Sequence, residues 1–265
     1  MSALLPEQVD ALRELRETCH GIGVDIVLIG AMALRIWLPD VRRLTEDVDV
    51  AVALDTSEFT SLAVRLTGLG WRADSRWEPR WHSRDGARVD LLPVGPRARR
   101  ERRVAWPRAE TVMRVVGYDG VFSEAVRCEM ALGLEMRVAP LQVLALLKLA
   151  AYLDTPAMRQ KDLGDLLVIL DTYAEDADRR FGDDVLDSGL QYDEAGAFLL
   201  GRDLRTLCVM SEEADTVHRF LTRVTSRDFQ FPPHLVAWRA IESEARDTLF
   251  GRQLRALALG FDWSL

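Results

Sequence analysis

Hydrophobic and polar residues alternate along the first half of the chain in a pattern that predicts a sheet covered by helices. Short β-branched apolar runs are typical of strands, and longer stretches with apolar residues three or four apart are typical of helices. A strand with alternating apolar and acidic residues is predicted within 45–52. The other predicted elements are helices over 6–20, 31–37 and 56–69 and strands over 24–29, 71–81, 87–94, 121–131 and 134–138.

From residue 141 onward, apolar residues recur at helical spacing almost to the end of the chain. This change predicts a domain boundary near residue 139. The expected fold class is therefore α+β, with a strand-containing domain over residues 1–139 and a helical domain over residues 140–265. The predicted helices of the second domain cover 141–152, a segment that starts at Thr155, 193–210, 212–224 and 233–259.

Acidic side chains occupy alternate positions of the strand within 45–52. Side chains of a strand project to opposite faces with a period of two, so Asp47 and Asp49 share a face while Val48 and Val50 take the other. Two like charges side by side are unfavourable unless a cation lies between them. Asp90 lies in another short apolar strand, and if the two strands are neighbours, three carboxylates form a site suited to two Mg²⁺ ions. Such metal pairs serve phosphoryl and nucleotidyl transfer.

Composition restricts the class of protein. At 265 residues and 48% hydrophobic content, the chain is long enough for one large or two modest globular domains. Its formal net charge of -8 argues against a general nucleic-acid-coating surface, so any nucleic-acid contact is expected to be local. The 3 cysteines are far apart and lack a metal-ligand spacing, which favours a reducing cytoplasm. The sequence contains no apolar run of membrane-spanning length, so no membrane partner is expected.

Lysine is rare in this chain, because only Lys148 and Lys161 among the 34 basic residues are lysines. Lys148 lies in a segment that is apolar nearly all round. A buried ammonium needs an anion, since its removal from water without a partner is costly. That anion would be a triphosphate or a carboxylate of the site. In the next predicted helix Asp162 and Asp165 share one side, and a salt-bridged, solvent-exposed face is the alternative interpretation there.

Basic residues concentrate in one segment, residues 97–108, which we name the arginine segment. Its arginines are Arg97, Arg99, Arg100, Arg102, Arg103 and Arg108. Such a segment could bind a phosphate backbone while Trp106 stacks on a base. An equally supported interpretation is a solvent-exposed loop or helix whose charge is balanced by Glu101 and Glu110.

Three motifs in order resemble the polymerase-β-like nucleotidyltransferase superfamily: Gly30-Ala31, then Thr45-Glu46-Asp47-Val48-Asp49, then Asp90 on a later strand. In that superfamily a Gly-Ser or Gly-Gly turn precedes two alternating acids, and a third acid follows. Residues 146–151 and 159–166 are similar, more narrowly, to the AbiEii-type family. That family includes the MenT-like toxins of type IV toxin-antitoxin systems, which modify tRNA 3′ ends. The resemblance covers roughly residues 24–172.

The resemblance implies a mixed-sheet nucleotidyltransferase domain over 1–139 and a helical domain over 140–265 that completes the nucleotide site and the acceptor cleft. It implies that Asp47, Asp49 and Asp90 bind two Mg²⁺ ions and that Asp90 helps to deprotonate the acceptor hydroxyl. Lys148 would neutralise the triphosphate of an NTP. The other nucleotide-binding residues that it implies are Gly30, Ala31, Thr45, Lys161 and Asp162. Ala31 departs from the usual Ser or Gly and offers no hydroxyl, although backbone N–H groups at the helix start could bind a phosphate.

Three functional hypotheses follow. The first is a Mg²⁺-dependent nucleotidyltransferase toxin that transfers NMP from an NTP to RNA, expected to be a tRNA 3′ end, with the arginine segment as the RNA contact and a cognate antitoxin as a further partner. The second is a nucleotidyltransferase of small molecules such as aminoglycosides, whose positive charge suits an acidic protein. The third is a non-catalytic, antitoxin-like binding module. Three intact carboxylates argue against the third, because their repulsion would otherwise be relieved by substitution.

Overall fold

The computed structural model describes residues 4–39, 45–106, 108, 110–175, 178–208, 210–226, 229 and 243–262, with side chains from residue 249 in the last range. The chain divides into two compact units, Met1–Pro140 and Leu141–Leu265. The first unit contains helices and strands, and the described residues of the second contain helices without strands. The observed fold class is α+β, which confirms the prediction. Among the described residues, no helix is both long enough and apolar enough to cross a bilayer.

Helices and short strands alternate through the first unit. The helices are α1 (Pro6–His20), α2 (Gly30–Trp37), α3 (Thr56–Gly68), α4 (Pro96–Glu101) and α5 (Tyr118–Ser123). The strands are β1 (Ile26–Ile29), β2 (Asp47–Val52), β3 (Arg72–Ala73), β4 (Arg80–His82), β5 (Arg88–Pro93), β6 (Arg103–Trp106), β7 (Thr111–Arg114), β8 (Val126–Ala131) and β9 (Leu134–Val138).

Seven of the described strands form one mixed sheet in the order β3-β4-β5-β2-β1-β9-β8. Strand β2 lies at its centre, since it pairs in parallel with β5 and antiparallel with β1. Strand β1 also pairs in parallel with β9. The parallel β2–β5 pairing requires a crossover connection, and α3 lies in that connection. Strands β6 and β7 form a separate antiparallel pair.

Apolar side chains fix the register of the central strands. All residues of β1 are buried, and Val48, Val50 and Val52 of β2 are fully buried on one face. Helices α1 and α3 contact each other and bury leucines. A slip of β2 by one residue would turn its acidic residues into the core and its valines out of it, so one register is strongly favoured.

The predicted strand over 121–131 is wrong in its first part. Helix α5 occupies Tyr118–Ser123, and strand β8 begins only at Val126. Gly117 precedes α5 with a positive φ of 81°, which turns the chain into the helix. Tyr118 and Val121 are three residues apart and both buried, as on one side of a helical turn. This turn contacts β1, so tertiary packing overrides the β-like composition.

The described residues of the second unit are helical. Its elements are α6 (Leu141–Asp154), α7 (Gln160–Thr172), a 3₁₀ turn (Asp178–Phe181), α8 (Asp183–Asp187), α9 (Tyr192–Leu207), α10 (Ser211–Val224) and α11 (Ser243–Asp262). The predicted helix start at Thr155 is wrong, because a turn follows α6 and α7 begins at Gln160. Of the predicted helix over 233–259, residues 233–242 lie outside the described residues.

Helices α9 and α11 approach each other closely at two glycines. A Cβ atom on Gly201 would lie 2.3 Å from the carbonyl oxygen of Leu257. A Cβ atom on Gly260 would lie 2.0 Å from the carbonyl oxygen of Phe198. Any side chain at either glycine would therefore push the two backbones apart, and close-packed interiors tolerate such expansion poorly.

Candidate active site

The three acids predicted from the strand pattern lie on one face of the sheet. Asp49 of β2 is the register partner of Asp90 on β5, so the two side chains project to the same face. Asp47 lies two residues earlier in β2 and shares that face. The buried valines of β2 occupy the opposite face. Two parallel strands that are distant in sequence thus place three carboxylates on one face near the start of β2.

Gly30 provides the space for Asp49. Strand β1 ends at Ile29, which pairs with Asp49 across the antiparallel ladder, and α2 begins at Gly30. Gly30 has a φ of 71°, and a Cβ atom there would lie 2.0 Å from Oδ2 of Asp49. Glycine meets both requirements because it lacks a Cβ atom and adopts positive φ without strain. Ala31, the next predicted turn residue, is buried within α2.

Two arginines that the sequence pattern did not single out neutralise the acids. Arg80 of β4 is the register partner of Asp90, and its guanidinium lies between Asp47 and Asp90. Its Nη2 donates to Oδ2 of Asp47 at 2.6 Å and to Oδ2 of Asp90 at 3.0 Å, while Nε donates to Oδ1 of Asp90 at 2.9 Å. The hydrogen bonds to Asp90 raise the pKa of Arg80, so the guanidinium stays charged. Arg88 places Nε 3.1 Å from Oδ1 of Asp47 and also pairs with Glu46.

Divalent cations suit the chemistry of this face, because carboxylate oxygens are the ligands that Mg²⁺ prefers. Oδ1 of Asp47 is buried and accepts no hydrogen bond within the described residues, although Nε of Arg88 lies 3.1 Å away, so its charge is met by an ion pair alone. In the part of the chain that the structure describes, no three Asp, Glu, His or Cys side chains are already grouped as a metal site. The Arg80 guanidinium lies between two of the acids instead. The donor set therefore fits the ion, and an ion that bridges Asp47 and Asp90 would replace this guanidinium.

The segment that leads into β2 is held by two side-chain hydrogen bonds. Oγ1 of Thr45 donates to the carbonyl oxygen of Asp47 at 3.1 Å. Nε2 of the buried Gln8, in α1, donates to the carbonyl oxygen of Glu46 at 3.1 Å. These bonds position the start of β2 and with it the first acid. Contact between Thr45 and a nucleotide stays a prediction.

The predicted nucleotide-binding residues of the second unit include a buried ionic cluster. Lys148 of α6 is 6% exposed, and Asp162 and Asp165 of α7 are 5% and 6% exposed. Nζ of Lys148 donates to Oδ1 of Asp162 at 3.1 Å and to Oδ2 of Asp165. The alternative interpretation of a solvent-exposed face is therefore wrong for these two aspartates, whereas Lys161 is exposed. Lys148 has the anionic partners that its burial requires.

The described residues of the arginine segment form most of α4 and all of strand β6, which pairs with β7. Five of its arginines have carboxylate partners within 3.8 Å: Arg97 and Arg103 contact Glu101, Arg99 and Arg102 contact Asp119, and Arg108 contacts Glu78. Trp106 is 8% exposed, so the prediction that it stacks on a base is wrong. Arg97, Arg100 and Arg103 are exposed to solvent. RNA binding by the segment stays a prediction.

Strand alternation could have identified Arg88, whereas the turn signal does not give the position of Arg80. A two-residue turn at Asp85-Gly86 would place Arg80 opposite Leu91. The loop contains three residues, 84–86, and the observed register instead pairs Arg80 with Asp90. Arg88 lies two residues before Asp90 and shares its face by strand alternation. The abundance of arginine in this chain hides both residues, because neither differs in sequence context from its many neighbours.

The sequence of this chain matches one family over residues 13–248, described as nucleotidyl transferase AbiEii toxin, type IV TA system. The match defines an enzyme of the nucleotidyltransferase class. Because it spans most of the chain, the protein belongs to the AbiEii nucleotidyltransferase toxin family. This confirms the family predicted from the motifs. The comparison with curated proteins found no match.

Several solved structures are similar at low sequence identity. The antibiotic-resistance factor ANT(2'')-Ia is 14% identical with a TM-score of 0.40, and the similarity covers 68% of this chain and 88% of that chain. A nucleotidyltransferase-like protein from Paracoccidioides brasiliensis is 14% identical with a TM-score of 0.42, over 65% of this chain and 78% of that chain. The Thermotoga maritima CCA-adding enzyme, complexed with tRNA, is 13% identical with a TM-score of 0.30, over 97% of this chain and 63% of that chain.

Proposed function

We propose that this nucleotidyltransferase transfers NMP from an NTP to the 3′ end of a tRNA, as the toxin of a type IV toxin-antitoxin system with a cognate antitoxin. The observation that carries the proposal is that Asp47, Asp49 and Asp90 share one face of the sheet on neighbouring strands. Family membership supports nucleotidyl transfer as the reaction. The exposed arginines of the arginine segment suit the phosphate backbone of an RNA acceptor.

In the proposed reaction the three acids bind metal ions, and one of them also accepts a proton. Asp47, Asp49 and Asp90 would hold two Mg²⁺ ions, which when bound supply charge stabilisation at the attacking and leaving oxygens. Asp90 accepts the proton of the acceptor hydroxyl, whose oxygen attacks the α-phosphate in line as pyrophosphate leaves. Gly30 keeps the carboxylate of Asp49 in place through the space that it leaves. Backbone N–H groups at Gly30 and Ala31, at the start of α2, contact phosphate oxygens.

The helical domain, residues 140–265, contributes the ammonium for the triphosphate in this proposal. Lys148 is the group, with Lys161 and Asp162 in support. The ion pairs from Lys148 to Asp162 and Asp165 support this role, because they fix the position of Nζ within its own unit. An NTP that binds Lys148 competes with these carboxylates for the ammonium. NTP affinity is therefore expected to rise in Asp165→Asn, which removes one competing carboxylate and keeps Asp162.

The test is transfer of label from each of the four NTPs to total tRNA by the purified protein. We expect labelled tRNA with at least one NTP, and loss of labelling when Mg²⁺ is chelated. The matched control is Asp49→Asn, which keeps the size of the side chain and removes its charge. Absence of labelled RNA with all four NTPs would contradict the tRNA acceptor.

A small-molecule acceptor such as an aminoglycoside is the second candidate. The net charge of -8 and the carboxylate partners of the arginine segment favour it, since both make the protein attractive to a cationic acceptor. The same assay with aminoglycosides in place of tRNA separates the two functions by the product that carries label. A protein that binds no NTP by calorimetry in the presence of Mg²⁺ would instead be the non-catalytic module.

A further inference from the structure

The Arg80 guanidinium forms hydrogen bonds with two acids of the site, Asp47 on β2 and Asp90 on β5. It donates three hydrogen bonds to Asp47 and Asp90 at 2.6–3.0 Å. Both carboxylate oxygens of Asp90 accept a hydrogen bond from Arg80, which is the strong bidentate geometry of an arginine–carboxylate pair. The side chains of Arg80 and Asp90 are 21% and 11% exposed, so water screens this pairing only weakly.

These contacts involve the same oxygens that a divalent ion would use. Oδ2 of Asp47 and both oxygens of Asp90 are occupied by the guanidinium. An arginine that donates a hydrogen bond to a carboxylate oxygen repels a metal ion from that oxygen, because both carry positive charge. Arg80 and a metal ion that bridges Asp47 and Asp90 are therefore mutually exclusive at this position.

We propose that Arg80 is a displaceable internal cation: it holds Asp47 and Asp90 together in the metal-free protein and leaves them when a divalent ion binds. The inference rests on the proposed function, since it takes these acids as metal ligands. Arg80 then affects two measurable quantities in opposite directions. It stabilises the metal-free fold by neutralising the acids, and it weakens metal binding because its contacts must break first.

The test is titration of the full-length protein with Mn²⁺, followed by the electron paramagnetic resonance signal of the free ion. We expect Arg80→Gln to bind Mn²⁺ about tenfold more tightly than the wild type or better, because the loss of one charge-assisted contact to an acid is worth roughly that factor. Thermal unfolding gives a second readout. The metal-free Arg80→Gln protein should melt below the wild type, and saturating Mn²⁺ should raise its melting temperature by more.

Two further variants make the result specific. Arg84→Gln removes a charge from the neighbouring turn, where Arg84 is 72% exposed and contacts Asp85 at 3.8 Å, so its Mn²⁺ affinity should equal that of the wild type. Arg80→Lys keeps the charge and serves if Arg80→Gln fails to fold. A lysine ammonium does not form the bidentate hydrogen bonds of a guanidinium. The Mn²⁺ affinity of Arg80→Lys should therefore lie between those of the wild type and Arg80→Gln.

The outcomes separate this inference from the proposed function. Equal or weaker Mn²⁺ binding by both Arg80 variants, with binding lost in Asp49→Asn, overturns the displacement and leaves the metal site intact. Binding by Arg80→Gln and none by the wild type supports the displacement. If neither protein binds Mn²⁺, with or without an NTP, the metal site itself is wrong and the inference fails with it.

Discussion

A side chain at Gly30 would be unfavourable for two reasons, the backbone conformation of this residue and the short distance to Asp49. The φ of 71° costs a non-glycine residue about 1–2 kcal/mol, and the Cβ atom would lie 2.0 Å from Oδ2 of Asp49. We expect Gly30→Ala to lower the free energy of unfolding and to reduce nucleotide transfer by about 100-fold, since a displacement of roughly 1 Å of a reacting group has that effect. The assays are urea unfolding and labelled-NTP transfer.

Gly23 provides the matched control for that substitution. Its φ of 68° is nearly the same, and nothing lies within 4 Å of a Cβ atom built there. Gly23→Ala should therefore lose stability through φ alone and keep full activity. Equal activity of the two alanine variants would show that Asp49 does not depend on Gly30.

Lys148 should contribute strongly to the stability of the second unit. Its removal would leave Asp162 and Asp165 buried with less compensation, and such a loss costs about 3–5 kcal/mol. We expect Lys148→Met to lower the free energy of unfolding by that amount in urea. Lys161→Met is the control, because an exposed lysine contributes less than about 0.5 kcal/mol. Equal stability of the two variants would contradict the buried ion pairs.

The buried thiol of Cys19 makes stability depend on alkaline pH. Burial raises its pKa from 9.0 to about 12, so the unfolded chain loses this proton before the folded chain does. The contribution is complete below pH 9.0 and is lost as the pH rises towards 12, by up to about 1.4 kcal/mol per pH unit. Urea unfolding between pH 8 and pH 10.5 should therefore show a smaller pH slope for Cys19→Ala. Cys128→Ala should change the slope less, because its thiol is only partly buried, and a slope unchanged by Cys19→Ala would exclude this origin.

At the scale of elements, the crossing of α9 and α11 depends on glycine. Gly260→Ala would place a Cβ atom 2.0 Å from the carbonyl oxygen of Phe198, and such overpacking costs about 1–3 kcal/mol. Gly251 lies in the same helix with only the end of Arg255 within 4 Å, at 3.7 Å. Gly251→Ala should instead stabilise the protein by about 1 kcal/mol through helix propensity. Thermal unfolding of both variants tests the pair, and equal shifts would contradict the close crossing.

Substitutions in α4 and β6 of the arginine segment distinguish an RNA acceptor from a small-molecule acceptor. Arg97, Arg100 and Arg103 are exposed, so their reversal to glutamate should leave the fold intact. We expect the triple reversal to reduce tRNA labelling at least tenfold and to weaken its salt dependence, because phosphate contacts release counterions. NTP binding should be unchanged. Arg127→Glu, on the edge strand β8, is the control, and unaffected tRNA labelling in the triple variant would exclude the segment as the RNA contact.

The spacing of apolar and polar residues predicted most helices and strands of the first unit, because buried and exposed positions recur regularly along them. The strand with Asp47 and Asp49 and the strand with Asp90 were both predicted, and alternation placed the first two acids on a common face. Helix α5 was not predicted, since its short helical turn depends on packing against β1. The β6–β7 hairpin was missed for a similar reason, as cross-strand pairing rather than an apolar run defines it.

At the scale of the whole molecule, the sequence predicted the fold class and the family but few of the contacts between charges. Charge partners depend on register and on helix packing, which periodicity does not report. Arg80 meets the acids only through the β4–β5 register, and Lys148 meets Asp165 only through the packing of α6 on α7. The expectation that Lys148 needs an anion came from its burial, and two candidates for that anion were left open until the fold was known.

The adjacency of β2 and β5 has a consequence for synthesis of the protein. The second acid-bearing strand ends at Pro93, more than thirty residues after the first strand is complete, and the two are joined side by side only in the finished sheet. A nascent or truncated chain that stops before Arg88 carries two of the acids and lacks the third. Under the proposed function, such a chain is expected to transfer no nucleotide, so activity would begin only after the ribosome has passed β5.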